Sequence, residues 1–197
     1  MLDPSFFSYV TVMSITPGPN NMLLATSGVN FGLKRTIPLL SGIILGFALQ
    51  TVVLSALLEQ LLNWMEAIRL PLTVLGCLYL VWLSVKIYRC CAPDLQERSQ
   101  PMGLKGAIAF QLLNPKGWLM VSNIALLYST QNTLLTVTVA FILLNFPCIF
   151  LWALMGDRLG ALLQDPIKRK IFNGLMALSL LVTALWMLVE VMPLGSS

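Results

Sequence analysis

Two short motifs concentrate the residues that could do chemistry: Thr16-Pro17-Gly18-Pro19-Asn20-Asn21 and Asn114-Pro115-Lys116-Gly117. Each lies inside a long apolar run. Pro17 and Pro19 each remove a backbone N–H and clash with the preceding turn, and Gly18 between them adds backbone freedom, so no ordinary helix runs through the first motif. The carbonyls freed there, and the Asn20 and Asn21 side chains, need polar partners. A helix that resumes after such a break points uncapped N–H groups at it, an arrangement that attracts anions. Lys116 adds a fixed cation to the second motif. In hydrocarbon such a charge costs at least ~2.5–3.5 kcal/mol, and no Asp or Glu sits at comparable depth to pair with it. Its natural counter-ion is then the carboxylate of a ligand. The expected binding set is Pro17, Gly18, Pro19, Asn20, Asn21, Asn114, Pro115 and Lys116. Lys116 takes the carboxylate, and Asn20, Asn21 and Asn114 take an ammonium group or polar side chain. The competing reading makes both motifs structural kinks, with Lys116 capping carbonyls or reaching to an interface.

The elements that position these residues belong to a membrane. Of 197 residues, 57% are hydrophobic and only 10% charged, and mean hydropathy is +0.84. A soluble domain carries about 25% charged residues. A membrane helix needs roughly 20 apolar residues, and six such spans are predicted at 5–28, 36–60, 70–88, 105–128, 134–155 and 170–191. The first and fourth contain the two motifs, and irregular backbone is tolerated there where protein or a cavity surrounds it. Met1-Leu2-Asp3-Pro4 lacks a basic leader region, so no cleavable signal peptide is expected.

The net charge of +4 does not mark a nucleic-acid binder, because the basic residues sit in short clusters between apolar runs. Lys34, Arg35, Lys86, Arg89, Arg98, Lys105, Arg158, Lys168, Arg169 and Lys170 fall on one side of a six-span chain. Arg69, Asp3, Glu59, Glu66 and Glu190 fall on the other. The positive-inside rule puts the basic side in the cytoplasm and both termini outside.

The longest predicted loop, 89–104, divides the chain near its midpoint. At an offset of 98 residues Pro17 falls on Pro115, Gly76 on Gly174, Met22 on Met120 and Leu80 on Leu178. Three spans per half give the halves opposite orientation, the plan of many secondary transporters, in which paired Pro/Gly-interrupted segments mark the binding site. The expectation is an all-α membrane protein, one domain over 1–197, built as a 3+3 inverted repeat (repeat one 1–90, repeat two 99–192) with broken first and fourth helices.

Other residues read as packing. Gly42 and Gly46 form a G-x-x-x-G pair and Gly76 sits in the third span, all suited to close helix approach. Trp64, Trp82, Trp118, Trp152, Trp186, Tyr79 and Tyr88 include interface anchors. There is no His, and Cys77, Cys90, Cys91 and Cys148 form no CxxC pair, so no metal site, cofactor or enzymatic constellation is expected.

Thr16-Pro17-Gly18-Pro19-Asn20, the later Asn114-Pro115-Lys116, and Gly76-Cys77-Leu78-Tyr79-Leu80 followed by Trp82 resemble the pattern of the lysine-exporter (LysE/RhtB) superfamily. The resemblance covers essentially the whole chain. It implies a multi-pass bacterial inner-membrane exporter of amino acids or their derivatives, driven by the proton gradient, with both termini periplasmic by the charge reading above. Many threonine- and homoserine-type members carry Asp where this chain has Asn20. Many also continue from the second motif into a Phe-rich run ending Leu-Pro-Gln-Phe, where this chain has Gly117-Trp118-Leu119-Met120-Val121-Ser122-Asn123. Both features are closer to the cysteine and O-acetylserine exporter branch. The implied partners are a small amino-acid substrate, the lipid bilayer and protons; a homo-oligomer is compatible, and nucleic acid is not expected. Two rival readings are a membrane scaffold or channel and a transmembrane thiol-redox carrier. The carrier needs a cysteine at related positions in each half, but Cys77 matches Leu175 and Cys148 matches Gln50.

Overall fold

The computed structural model describes residues 4–56, 58–89, 100–128 and 134–191, with side chains for all of these except 55–56, 58–69, 134 and 190. The predicted central loop, with Cys90, Cys91 and Arg98, lies mostly outside the described residues, as do Asp3 and the side chains of Glu59, Trp64, Glu66, Arg69 and Glu190. Among the described residues every regular element is an α-helix: α1 Pro4–Ile15, α2 Pro19–Phe31, α3 Leu33–Ala56, α4 Leu58–Arg89, α5 Leu104–Leu112, α6 Pro115–Tyr128, α7 Leu134–Leu162 and α8 Pro166–Val191.

Four stretches are long and apolar enough to cross a membrane: Leu33–Leu54, Leu70–Arg89, Leu135–Leu162 and Pro166–Val189. The other two predicted spans are each made of two shorter helices, α1 with α2 and α5 with α6, and the interruptions fall at the two Pro-containing motifs. α1 stops at Ile15 because Pro17 and Pro19 cannot continue it, and Pro19 then opens α2 as its first residue, where a missing N–H costs nothing. Pro115 opens α6 in the same way.

Some boundaries differ from the sequence reading. α4 begins at Leu58 rather than 70, because no Gly or Pro interrupts 58–70 and nothing there stops a helix. Its 32 residues make it about 48 Å long. The expected loop after the first span shrinks to one residue. Gly32 adopts φ 79° and closes α2 with a 2.9 Å bond from its N–H to the Gly28 carbonyl. Lys34 and Arg35 consequently sit in the first turn of α3, where the helix dipole disfavours cations. Asp157 on α7 offsets this by accepting the Leu33 N–H at 2.8 Å.

α2 is the central helix, buried almost all round from Pro19 to Val29. It packs most closely on α7 through a seam that sequence reading did not pick out. A Cβ on Gly28 would lie 2.5 Å from the Ala153 carbonyl oxygen, one on Gly160 would lie 2.8 Å from that of Val29, and Gly156 faces the Ala25 backbone as tightly. Small residues here let two backbones touch. The G-x-x-x-G pair behaves as expected: Gly42 lies against Ala107 and the Leu104 carbonyl of α5, and Gly46 against Gln111. α4 packs on α8, joined by Cys77 Sγ to the Ala184 carbonyl (3.2 Å) and Ser84 Oγ to the Ala177 carbonyl (3.0 Å). Gly76 sits against the Leu113 carbonyl and Pro115, whereas its counterpart Gly174 has open space around it.

The α2–α7 seam yields a first prediction. A Gly156→Leu chain has no room for its side chain without separating the two backbones, and the overpacking should cost about 3 kcal/mol or more. Thermal unfolding in detergent should show a drop of roughly 6–12 °C, using about 2–4 °C per kcal/mol for a chain of this size. An unchanged midpoint would contradict the close packing.

Candidate functional site

The two helix breaks meet. Asn114, at the end of the second break, donates its Nδ2 to Asn20 Oδ1 at 2.9 Å. Asn20 in turn donates Nδ2 to Gln111 Oε1 at 2.9 Å, and Gln111 Nε2 donates to Gln50 Oε1 at 2.8 Å. Gln50 closes the chain by donating Nε2 to the Gln111 carbonyl at 3.0 Å. These four carboxamides come from α2, α3, α5 and the second break, and all are buried. Gly117 backs onto the glutamine pair, since a Cβ there would run into Gln111 Nε2 and sit 3.2 Å from Gln50 Oε1. Neither glutamine was among the sequence candidates. The signal that could have found them is the cost of an amide in an apolar span, which demands a specific partner.

The carbonyls left open at the end of α1 are capped by side chains from elsewhere. Asn21 Nδ2 donates to the carbonyls of Ser14 (2.8 Å) and Thr16 (2.9 Å), and Trp152 Nε1 to that of Ile15 (3.1 Å). Lys116 Nζ donates to the carbonyls of Thr16 (3.1 Å) and Pro17 (3.4 Å). Asn145 on α7 donates Nδ2 to Ser14 Oγ at 2.8 Å, completing a polar floor. Of the sequence candidates, Gly18, Pro19, Asn20, Asn21, Asn114 and Lys116 line one small cavity with Ser14 and Asn145. Pro115 is buried beside it as the start of α6. Pro17 is exposed and takes part through its carbonyl.

Three features give this cavity the chemistry of a zwitterion site. The Lys116 side chain lies across Gly18, so that a Cβ on Gly18 would stand 3.0 Å from Nζ and 3.1 Å from Cδ. Gly18 is also the N-cap of α2, and no side chain caps that helix start. A cation and a helix N-terminus thus converge on one spot, which suits a carboxylate. Beside them Asn114 Oδ1 is buried with no hydrogen-bond partner among the described residues. An orphaned buried acceptor costs about 1–3 kcal/mol, and a ligand ammonium would relieve it. Among the described residues no group of three His, Cys, Asp or Glu could hold a metal ion.

The cavity is small, about 20 Å³, room for a single water molecule. A larger cleft of about 370 Å³ opens between α2, the last turns of α4 and residues 100–102. Thr26, Ser27 and Asn30 border it, but their polar groups serve internal bonds: Thr26 Oγ1 to the Met22 carbonyl (2.7 Å), Ser27 Oγ with Thr36 Oγ1 (2.8 Å), and a reciprocal Asn30–Asn173 pair at 3.0 Å. Lys86 and Arg89 lie at its rim, with Lys86 Nζ 5.1 Å from the centre of the Trp82 ring. The α2 side of the larger volume therefore has little free hydrogen-bonding capacity, whereas Lys116, an uncapped helix start and an unpartnered acceptor converge at the smaller one.

The chain is similar to several known proteins. A protein of Salmonella choleraesuis named cysteine/O-acetylserine efflux protein is 31% identical over 116 residues, 59% of this chain and 60% of that protein. Proteins of the same name from Klebsiella pneumoniae subsp. pneumoniae and Escherichia coli O1:K1 / APEC are 29% and 28% identical over 112 residues, 57% of each chain in both cases. The match thus spans under two thirds of the length of these relatives. No solved structure matches the chain. The family pattern described as LysE type translocator matches residues 11–191, a stretch that holds both helix breaks and all four crossing helices, and the chain belongs to that family of integral membrane proteins.

Proposed function

We propose that the chain is a secondary exporter of small neutral amino acids or their derivatives, of the cysteine and O-acetylserine kind, across the bacterial inner membrane. The observation that carries this reading is the convergence of Lys116 and the uncapped α2 N-terminus over Gly18, next to the unpartnered Asn114 Oδ1. The substrate carboxylate takes the first pair. Its ammonium goes to the carboxamides of Asn114, Asn20 and Asn21. The names of the relatives support the substrate class. With room for one water, the site is closed, and substrate enters only after the surrounding helices part.

The proposed architecture is six spans in two inverted halves, with both termini periplasmic. The pairing of elements supports it: the α1–α2 span packs on α7, the α5–α6 span packs on α3, and α4 packs on α8. Exchanging the halves leaves that list unchanged. Cysteine-accessibility labelling in a background lacking the native cysteines tests the orientation. Position 35 should be reached only from the cytoplasm, and outside labelling would overturn the topology. The function is tested by loading vesicles with a panel of amino acids and comparing efflux with and without the protein. Equal efflux for every compound would end the proposal.

Proton coupling belongs at the rims in this reading. A charged Lys116 attracts the substrate carboxylate, so proton and substrate would bind there together, which favours symport and opposes export against an inward proton gradient. Lys116 therefore stays charged as an anchor. Asp157, Glu59 and Glu190 are the candidates for exchange, and Asp157 already accepts the Leu33 N–H. The triple variant Asp157→Asn, Glu59→Gln, Glu190→Gln should lose gradient-driven accumulation in vesicles. Full accumulation would move the coupling elsewhere.

A further inference from the structure

α1 and α6 are joined by polar side chains spaced along one seam. Lys116 reaches the carbonyls of Thr16 and Pro17, Asn123 Nδ2 donates to Tyr9 Oη at 3.0 Å, and Tyr128 Oη shares a hydrogen bond with Ser5 Oγ at 2.7 Å. The paired numbers add to 132 (116 and 16), 132 (123 and 9) and 133 (128 and 5). That constant sum is the register of two antiparallel helices, so the three contacts are rungs of one zipper. The two helices touch at few other points, and the rungs are made by long side chains spanning the gap.

The seam is also exposed. Ser5 on α1, Thr16 just beyond it and Asn123 on α6, one from each rung, are all open to the surroundings, as are the neighbouring Ser8 and Thr11 and the apolar Phe7, Val12 and Ile15. In the orientation proposed above, α1 and α6 run from the breaks to the outer face, about 18 and 21 Å at 1.5 Å per residue. Hydroxyls, an amide and a lysine contact at that depth are not solvated by lipid, so they need one another or water as partners. On the other side of the breaks Thr26, Ser27 and Asn30 of α2 are already bonded to the Met22 carbonyl, Thr36 and Asn173.

We propose that the α1–α6 seam is the outer half of the substrate path, held shut by this three-rung zipper, with Tyr9, Asn123, Ser5 and Tyr128 passing a zwitterionic amino acid outward. The innermost rung is made by Lys116, the anchor assigned to the substrate carboxylate. A carboxylate that takes the ammonium competes with the Thr16 and Pro17 carbonyls and loosens the rung beside the site. Substrate then favours the open seam by its differential contact with Lys116, as any ligand-driven shift requires.

This inference rests on the export reading, and its test separates the two. Cysteines are placed at 9 and 123 in a chain lacking Cys77, Cys90, Cys91 and Cys148, then joined with a short bifunctional thiosulfonate reagent. Export of a neutral amino acid from vesicles should fall at least tenfold and return with dithiothreitol; undiminished export from the joined protein would overturn the gate. A second measurement needs no export. Ser14→Cys, facing the cavity, is labelled from outside with a membrane-impermeant maleimide. Loosening the zipper with Tyr9→Phe and Asn123→Leu should raise the labelling rate at least threefold. An unchanged rate overturns the gate whether or not the protein exports amino acids, whereas a raised rate with no export in any variant sinks only the export reading.

Discussion

Replacing Lys116 by Met is expected to lower export at least tenfold while the protein remains in the membrane. Methionine keeps much of the bulk over Gly18 but removes the charge that faces the α2 N-terminus. A tenfold loss corresponds to about 1.4 kcal/mol, less than a single hydrogen bond to a charged group can contribute, about 1.5–3 kcal/mol. The Thr16 carbonyl keeps the Asn21 donor, and the Pro17 carbonyl borders an exposed stretch where water replaces Lys116, so the fold should survive. A purely structural role is separated from a binding role by analogues. The protein with Lys116 should favour an amino acid over its methyl ester, and Lys116→Met should lose that preference. Unchanged transport in Lys116→Met would rule out the carboxylate role.

Gln111→Leu is expected to damage stability and transport together. Gln111 is fully buried and holds two neighbours at once, accepting from Asn20 and donating to Gln50. Leucine fills the space and strands Asn20 Nδ2 and Gln50 Oε1. Each orphan costs about 1–3 kcal/mol in water-soluble proteins, while hydrogen bonds between membrane helices average nearer 0.6 kcal/mol. A combined loss of about 1–3 kcal/mol follows. It lowers the unfolding midpoint in detergent by roughly 2–12 °C at about 2–4 °C per kcal/mol. Asn20 and Asn114 lose their orientation too, so export should fall severalfold even at temperatures where the variant is folded. Adding Gln50→Leu removes one orphan and should recover part of the stability without recovering export. A single variant as stable and active as the parent would show that the carboxamide chain does not organise the site.

The chain's own residues dictated the interruptions between α1 and α2 and between α5 and α6. Pro17 and Pro19 lack backbone donors and flank Gly18, and Pro115 follows Asn114, so each cluster ends a helix locally, whereas the single Pro38, Pro71 and Pro147 are carried inside unbroken helices. Composition dictated the membrane class, since 10% charged residues cannot cover a surface in water. The packing role of Gly42 and Gly46 was legible for a similar local reason, as a four-residue spacing puts both on one face. Tertiary structure alone decided what completes the site. Gln50 and Gln111 are 61 residues apart, Asn145 and Ser14 are 131 apart, and Lys116 reaches carbonyls 100 and 99 residues away. A buried amide announces that it needs a partner without naming it, because the partner is chosen by how the helices cross. The Gly28–Gly156 contact and the α1–α6 zipper belong to the same class. Each depends on the distance and register between two helices that meet only after the chain has folded around α2.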